Sequence, residues 1–363
     1  MSARILAVIV LTSLLALPAG AEGTSNTPRA RTLEQKMKAA IARVKGRMAV
    51  GVAVIDLASG ERVELDARRP YPLASVFKLP ILVEVCRQLQ QGTSGLSLQT
   101  SLPIRNEDRC IGAGRLQFAP AGSKVSLAEA VELMETVSDN TATDLVFGRI
   151  GTDSVNRFMH SQGLASADIW LPNRPAYLIS LGLGSQWKGL SARQIARKWK
   201  AMSRQEKARA VQQVLAENRD LSLADFQAAE DESAGRQTGQ AYLADVELAA
   251  ALDNTCSPAD LASLLGRLYQ GQLLDRKWTR YALGVLGRQK FNSRLPRHLP
   301  AGTRVYHKTG TITGVVNDAG VIELPGGRGL VVVVLVRDVQ EGCSAEAGAL
   351  IGRLARMAYD TYR

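Results

Sequence analysis

Histidine is scarce in this chain and does not cluster. The three histidines, His160, His298 and His307, are scattered over 363 residues, and none has cysteine or histidine neighbours at the spacing of a metal site. We therefore predict no metal and no other cofactor. The Gly-x-Ser-x-Gly turn is also missing, which disfavours a Ser-His-Asp triad built on His307.

A hydrophobic run long enough to span a membrane is absent as well. The apolar run at residues 5–17 is too short for a comfortable span, but it follows Arg4 and precedes the small residues 19–21. This series is typical of a secretory signal peptide. We predict a signal peptide over residues 1–21, cleavage after Ala21, and a periplasmic or secreted mature protein without a transmembrane span. An uncleaved N-terminal anchor is the alternative.

Acidic residues are outnumbered by basic ones. The chain has 45 Lys and Arg against 34 Asp and Glu, and its net charge of +11 changes little when Arg4 leaves with the leader. An exported basic protein would be attracted to anionic cell-envelope polymers, although a merely soluble basic surface explains the same charge. No groove-reading motif is present, so we predict no nucleic-acid partner. We expect a monomer with an ample buried core, since 46% of the residues are hydrophobic.

Three short polar motifs occur in a fixed order along the chain. They are Ser75-Val76-Phe77-Lys78, Ser138-Asp139-Asn140 and Lys308-Thr309-Gly310. A serine hydroxyl needs a base to become a good nucleophile, and a lysine three residues further along a helix lies on the same face. Ser75 precedes a largely apolar run, which favours a buried helix start. Ser185 and Lys188 have the same spacing, but they lie in a glycine-rich stretch and are interpreted as a chance match.

These motifs resemble those of class A β-lactamases and related penicillin-binding proteins. The likeness is carried by residues 71–78, 138–142 and 253–255, and by the stretch from 306 to the C-terminal helix. It implies a β-lactamase/transpeptidase-like α/β (α+β) fold, in which an antiparallel five-stranded sheet from both termini has helices packed on it and an all-helical domain is inserted. The hydrophobic pattern predicts the same arrangement of strands and helices.

The resemblance also implies a role for each motif residue. Ser75 would be the nucleophile, Lys78 its general base and Ser138 a proton relay to the leaving nitrogen. The backbone N–H groups of Ser75 and Thr311 would stabilise the oxyanion. Asn140 would bind the amide side chain of the substrate. The substrate-binding residues of the last motif, which would hold a carboxylate, are Lys308, Thr309, Gly310 and Thr311.

The chain departs from the class A pattern at the glutamate that activates the deacylating water. The expected position falls near residues 172–174, and residues 170–187 contain no acid at all. Asp168 is the nearest acid, but it comes a few residues too early. The second departure is an extra stretch at 188–246. A carboxylate from this insertion is an alternative source of the missing group, the candidates being Glu230, Asp231 and Glu232.

The strand and helix pattern predicts one serine hydrolase domain at residues 22–363. Strands are predicted at 48–57, 62–66, 303–307, 315–324 and 329–336, and helices at 32–45 and 345–359. The α/β part comprises 22–74 and 290–363, and the mainly helical part is 75–289. The insertion contains a basic helical stretch at 193–209, which is either a solvated helix face or a lid or docking hairpin beside the active site.

Export would place the four cysteines in an oxidising compartment, where they could pair. Cys86 lies on the helix that Ser75 starts and Cys110 precedes a predicted turn at the rim of the same site, so a Cys86–Cys110 disulfide is favoured. Cys256 and Cys343 would then pair by default. Free buried thiols are an equally good interpretation of this second pair.

The predicted function is an exported serine hydrolase that forms an acyl-enzyme with β-lactam antibiotics. A D-Ala-D-Ala carboxypeptidase or penicillin-binding protein, acting on peptides, is the second hypothesis. The third is a β-lactam sensor that stays acylated, or a non-catalytic binding module. The complete set of serines and lysines argues against full loss of chemistry, whereas the missing glutamate argues against fast deacylation.

Overall fold

The structure is a computed structural model that describes residues 23–92, 95–234 and 239–363. The predicted signal peptide lies outside the described residues. Within the described ranges, no helix is both long enough and apolar enough to cross a bilayer.

Five antiparallel strands form the central sheet in the order β2-β1-β9-β8-β7. Their bounds are β1 (Ala49–Asp56), β2 (Arg62–Leu65), β7 (Val305–Ile312), β8 (Val315–Leu324) and β9 (Arg328–Arg337). The β-branched residues of β1 and β9 are buried on both faces, because helices cover both sides of the sheet. The predicted fold class, with a sheet assembled from both ends of the chain, is therefore confirmed.

Two helices from the chain termini cover one face of the sheet. They are α1 (Pro28–Ala42) and α13 (Ser344–Tyr362), and their apolar residues form one core cluster with β1, β8 and β9. α1 begins earlier than predicted because the Thr27 side chain accepts a hydrogen bond from the Ala30 N–H and proline is favourable at the first helical position.

The other face of the sheet packs on helices that carry the central part of the chain. Helix α2 (Lys78–Gln90) and helix α11 (Pro258–Tyr269) join the second core cluster there. The remaining helices of this core are α3 (Leu127–Thr136), α4 (Asn140–Ile150), α5 (Thr152–Ser161) and α12 (Arg276–Leu286). The short strands beside them are β3 (Tyr71–Pro72), β4 (Ser101–Pro103), β5 (Lys124–Ser126) and β6 (Thr255–Cys256).

A third core cluster lies among the helices that follow α5. They are α6 (Asn173–Ser180), α7 (Ala192–Ala201), α8 (Arg204–Glu217), α9 (Leu223–Ala234) and α10 (Gly239–Leu252). Trp187, Trp199 and Phe226 are buried at its centre, and Leu178 and Ile179 of α6 pack against them. The stretch predicted as an insertion thus shares a core with the loop that precedes it.

Basic side chains of this stretch lie over the tryptophans. Arg204 stacks on Trp170, Lys207 lies over Trp199 and Lys198 over Trp187. These three basic side chains therefore form cation–π contacts with aromatic rings of the same chain.

The predicted Cys86–Cys110 disulfide is wrong, because all four cysteines are free thiols. Cys86 faces Glu135 and Tyr281, whereas the Cys110 N–H donates to Thr141 among a different set of neighbours. Cys256 and Cys343 belong to core regions on opposite faces of the sheet. For this second pair, the alternative of free thiols is the one observed.

Candidate active site

Ser75 lies in a single turn of 3₁₀ helix, Ala74–Phe77, that runs directly into α2. A 3₁₀ helix has three residues per turn, so Ser75 and the first residue of α2, Lys78, project from the same side. Ala74 has a positive φ of 44°, which is costly for a residue with a Cβ. The surrounding structure must therefore hold this turn in place.

Contacts from three distant segments fix the turn. The carboxylate of Asp253 accepts a hydrogen bond of 2.5 Å from the Ala74 N–H, and the side chain of Asn317 donates to the Leu73 carbonyl at 3.0 Å. Gly310 on β7 passes so close that a Cβ there would lie 2.6 Å from the Leu73 oxygen. Gly310 therefore serves close packing of the strand against the nucleophile turn, and Asp253 and Asn317 are positioning residues.

The Lys78 ammonium is fully buried and points at the α3–α4 loop. Its Nζ donates to the Ser138 carbonyl at 2.8 Å, to Ser138 Oγ at 3.0 Å and to Asn140 Oδ1 at 3.1 Å. Burial, and secondly the charge of Lys308, lowers the pKa of Lys78 to about 7. A lysine with this pKa is neutral for a large fraction of the time near pH 7, as a general base must be.

Ser138 lies between the two lysines. Its Oγ accepts from Lys78 Nζ at 3.0 Å and from Lys308 Nζ at 3.1 Å. A hydroxyl has two acceptor sites and one donor, so both acceptor sites are used and its own proton is left for a third group. Ser138 holds this position with a positive φ of 61°, and Asp139 supports the loop by accepting from Ala142 and Leu116.

Lys308 lies on β7, the edge strand of the sheet, and its ammonium is buried. Burial lowers the pKa of Lys308 to about 8, and the charge of Glu135 opposes this shift. Arg294, which sequence reasoning missed, donates to the Gly310 carbonyl at 2.7 Å and to Thr311 Oγ1 at 2.5 Å. It thus braces the exposed end of the strand beside the cavity.

A second missed residue is Glu135 in α3. Its side chain is 1% exposed, and neither carboxylate oxygen has a hydrogen-bond partner among the described residues. Burial raises the pKa of Glu135 to about 7, against the opposing charges of Lys308 and Lys78. From the sequence it is an ordinary helical glutamate, and only the packing of α3 reveals that it faces two lysines.

Ser75, Asn140 and Thr311 line one cavity of about 440 Å³. The Asn140 Nδ2 donates to the Ile111 carbonyl at 2.9 Å, which fixes the orientation of the amide. The structure thus brings the predicted site residues of all three motifs together around Ser138 and this cavity. A larger groove of about 690 Å³ between α11, α12 and β7 contains none of them.

The loop that would carry the class A glutamate has no carboxylate facing this cavity among the described residues. Asn173 lines the cavity, and its N–H donates to Asp144 at 2.8 Å. The Arg174 side chain turns away and donates to the carbonyls of Arg109 and Asn218. Asp168 is exposed and forms an ion pair with Arg204 at 2.8 Å, so it does not replace the glutamate.

The geometry supports neither a nucleophile at Ser185 with Lys188 as its base nor a Ser-His-Asp triad built on His307. Ser185 is exposed, and its hydroxyl donates to Glu217 at 2.6 Å rather than contacting Lys188. His307 is buried, with Nδ1 2.9 Å from Asp318 and Nε2 3.2 Å from Asn292. No serine in the described ranges contacts its ring, so the His–Asp pair joins β7 to β8 instead.

Helices α9 and α10, which span the end of the predicted insertion and the residues directly after it, complete the cavity. Glu230 and Ser233 come from α9, and Leu248 and Leu252 come from α10. Tyr177 of α6 lines the same cavity and lies beside Asn140. A helical stretch outside the motifs therefore shapes the space beside Ser75.

The site combines Ser75 with two buried lysines and with Ser138, which lies between them. On a β-lactamase/transpeptidase-like fold, this combination defines a class of serine active sites. The model of the Beta-lactamase enzyme family matches residues 32–362, and the chain belongs to this family. Within the described ranges, no group of three or more histidine, cysteine or acidic side chains is placed to hold a metal ion.

Curated relatives and solved structures agree with this family. The chain is 22% identical over 343 residues to β-lactamase VEB-1 of Pseudomonas aeruginosa, covering 91% of this chain and 89% of that protein. It is 29% identical over 163 residues to β-lactamase L2 of Stenotrophomonas maltophilia, covering 42% of this chain and half of that protein. The structure of PBP-A is similar with a TM-score of 0.66 at 25% identity, covering 91% of this chain and 96% of that one. A β-lactamase from Chitinophaga pinensis has a TM-score of 0.65 at 22% identity, with coverage of 92% and 100%.

Proposed function

We propose that the protein is an exported serine hydrolase that forms an acyl-enzyme with β-lactam antibiotics on Ser75. The observation that carries this proposal is the Ser138 hydroxyl, which accepts from Lys78 and Lys308 together beside the cavity that Ser75 lines. Membership of the β-lactamase family supports the same substrate class.

Acylation follows from the order of these groups. Neutral Lys78 takes the Ser75 proton while Ser75 Oγ bonds to the lactam carbonyl carbon. The carbonyl electron pair moves to its oxygen, which the N–H groups of Ser75 and Thr311 stabilise. On collapse the C–N bond breaks, and the leaving nitrogen receives the Ser138 proton. Ser138 regains a proton from Lys78, so the base returns to its neutral state.

The substrate carboxylate would lie at the strand end of the cavity. Lys308 supplies positive charge there, while the hydroxyls of Thr309 and Thr311 supply donors, and Gly310 lets the strand approach the nucleophile turn. Asn140 would bind the substrate amide. Because the Asn140 Oδ1 already accepts from Lys78, this contact would involve the other acceptor site of Oδ1 or its Nδ2 group.

A D-Ala-D-Ala carboxypeptidase or penicillin-binding function is the second candidate. The observation that favours it is the loop at 170–187, which has no carboxylate facing the cavity within the described ranges, so a water near the acyl group lacks the usual base. PBP-A has a similar structure, and a mutant of PBP-A has been solved as an acyl-enzyme complex with penicillin G. An acylated sensor or a non-catalytic binding module is the third candidate.

The cellular setting forms part of the proposal. Export rests on the leader sequence at residues 1–21, and attraction to anionic cell-envelope polymers rests on the net charge of +11. The β-lactam or D-Ala-D-Ala-type peptide would be met in the periplasm or outside the cell by a monomeric enzyme.

Intact-mass spectrometry of the mature protein mixed with benzylpenicillin tests the proposal. We expect a rapid adduct of one penicillin per chain that is absent in Ser75→Ala and unaffected in Ser185→Ala, the matched change at the exposed serine. An adduct that clears over time would establish β-lactam turnover. A persistent adduct would favour the penicillin-binding candidate, whereas no adduct, or an adduct on Ser75→Ala, would refute acylation of Ser75.

A further inference from the structure

The end of the active-site cavity that the insertion covers is acidic, although the chain as a whole is basic. Glu230 of α9 and Asp245 of α10 line this end, and Asp253 lines the cavity beside the nucleophile turn. The described lining residues include no lysine or arginine. Asp253 is held by the N–H groups of Ala74 and Asn254, and Asp245 also has a partner. Of these three carboxylates, Glu230 is the one without a hydrogen-bond or ion-pair partner among the described residues.

Glu230 is half-buried on α9 and forms no hydrogen bond or ion pair within the described residues. Burial, followed by the charge of Asp231, raises its pKa above the usual value for glutamate. A carboxylate that has lost part of its hydration favours a cation that enters the same space.

Tyr177 connects Glu230 with the predicted amide-binding residue. A Cβ at Gly112 would lie 2.7 Å from Tyr177 Oη and 3.0 Å from Asn140 Nδ2, so the phenol and the amide are close neighbours. The charge of Glu230 contributes to the raised pKa of Tyr177, and both residues line the cavity that Ser75 lines. Asn140, Tyr177 and Glu230 therefore belong to the lining of one cavity.

We infer that Glu230 selects substrates whose acyl side chain carries a primary ammonium group. The inference rests on the proposed acylation of Ser75, with the substrate carboxylate at Lys308 and its amide at Asn140. In that orientation the acyl side chain would occupy the part of the cavity that α6 and α9 line. An ammonium group at its first carbon is then attracted by Glu230, and a carboxylate at the same carbon is repelled.

Three penicillins that differ at this one carbon test the inference. Benzylpenicillin is uncharged there, ampicillin carries an ammonium group and carbenicillin a carboxylate. The second-order rate of acylation, measured by intact mass at short times and pH 7, should fall in the order ampicillin, benzylpenicillin, carbenicillin. In Glu230→Gln the ratio of the ampicillin rate to the carbenicillin rate should fall about five-fold, since a partly exposed charge pair contributes on the order of that factor.

Matched variants separate this effect from others. Asp231→Asn removes the same charge from the exposed neighbouring residue and should leave the ratio unchanged. Glu230→Lys should invert the order, with carbenicillin above ampicillin, and it provides a second test if Glu230→Gln folds poorly. An unchanged ratio in both Glu230 variants, or one equal change for all three penicillins, would overturn the inference while leaving acylation of Ser75 intact. Absence of any adduct on the wild-type protein would instead refute the proposed function.

Discussion

The two walls of the active-site cavity differ in the charge and burial of their ionisable side chains. One wall consists of the nucleophile turn, the α3–α4 loop and β7, and its charged groups Lys78 and Lys308 are fully buried. The other wall comes from α6, α9 and α10 and carries Asp245 and Glu230, of which Glu230 is half-buried without a partner among the described residues. The first wall gains its chemistry from desolvation and the second gains selectivity from its shape and charge. Changes in the first wall should therefore affect every substrate, whereas changes in the second should affect the choice among substrates.

The largest effect is expected when the buried base is removed. Lys78→Met should lower the rate of penicillin acylation by about 10² to 10⁴, the usual contribution of general base catalysis, and equally for all three penicillins. Intact-mass kinetics at pH 7 measure it. Lys188→Met, at the exposed lysine that follows Ser185, is the control and should acylate normally. Acylation of Lys78→Met within about ten-fold of the wild-type rate would mean that another group is the base.

A smaller effect is expected when one methyl group is added to the first wall at Gly310. In Gly310→Ala the new Cβ would lie 2.6 Å from the Leu73 carbonyl, so β7 and the nucleophile turn must separate. We expect acylation to slow by about 10²-fold, since a shift near 1 Å at a reacting group has that effect, and the free energy of unfolding to fall by about 1–3 kcal/mol.

Gly148→Ala is the control for this substitution. Gly148 lies in α4 with an ordinary φ, and a Cβ added there would have no atom within 4 Å, so alanine should stabilise the helix by about 0.5–1 kcal/mol without affecting acylation. Denaturant unfolding and acylation kinetics measure both variants. Normal acylation by Gly310→Ala would show that the close approach of the strand is not required.

The smallest effect is expected from Glu135→Gln, which changes charge but hardly changes shape. The Glu135 charge raises the pKa of both lysines, so its removal lowers both values. Lys78 then becomes neutral at lower pH, and Lys308 loses its positive charge at lower pH. Both limbs of the pH–acylation profile should therefore move towards acid.

Glu132→Gln is the matched control, because Glu132 lies in the same helix but is paired with Arg288 at the surface. Its pH profile should coincide with that of the wild type. An unshifted profile for Glu135→Gln would mean that the buried carboxyl is already protonated when the enzyme reacts.

Local patterns were sufficient to predict the sheet and the order of the motifs. The near-continuous apolar and β-branched runs of β1, β8 and β9 predict strands because both faces are buried, and the nucleophile turn is placed by the apolar run of α2. The predicted strand at 303–307 was too short, since Lys308 to Ile312 continue β7. Polar motif residues interrupt the hydrophobic pattern from which a strand is predicted, because their side chains face the candidate site rather than the core.

Features that depend on packing between distant segments were not predictable. Glu135 and Glu230 are single acids in helical stretches, and nothing in their local sequence distinguishes them from surface residues. The Cys86–Cys110 prediction failed for the same reason. Two segments that the sequence assigns to one site need not direct their thiols towards each other. The role of Asp253 also depends on a non-local contact, its acceptance of the Ala74 N–H.

The bond from Asn317 to the Leu73 carbonyl, just before the nucleophile turn, joins positions 244 residues apart in the chain. Because β1 pairs with β9 and Lys308 arrives on β7, the nucleophile is without its second lysine and without its supporting sheet until nearly the whole polypeptide is available. Contacts of such long sequence separation form late and slowly. A chain that is still being synthesised therefore holds Ser75 without the groups that would activate it, and the proposed site is complete only when the C-terminal strands join the sheet.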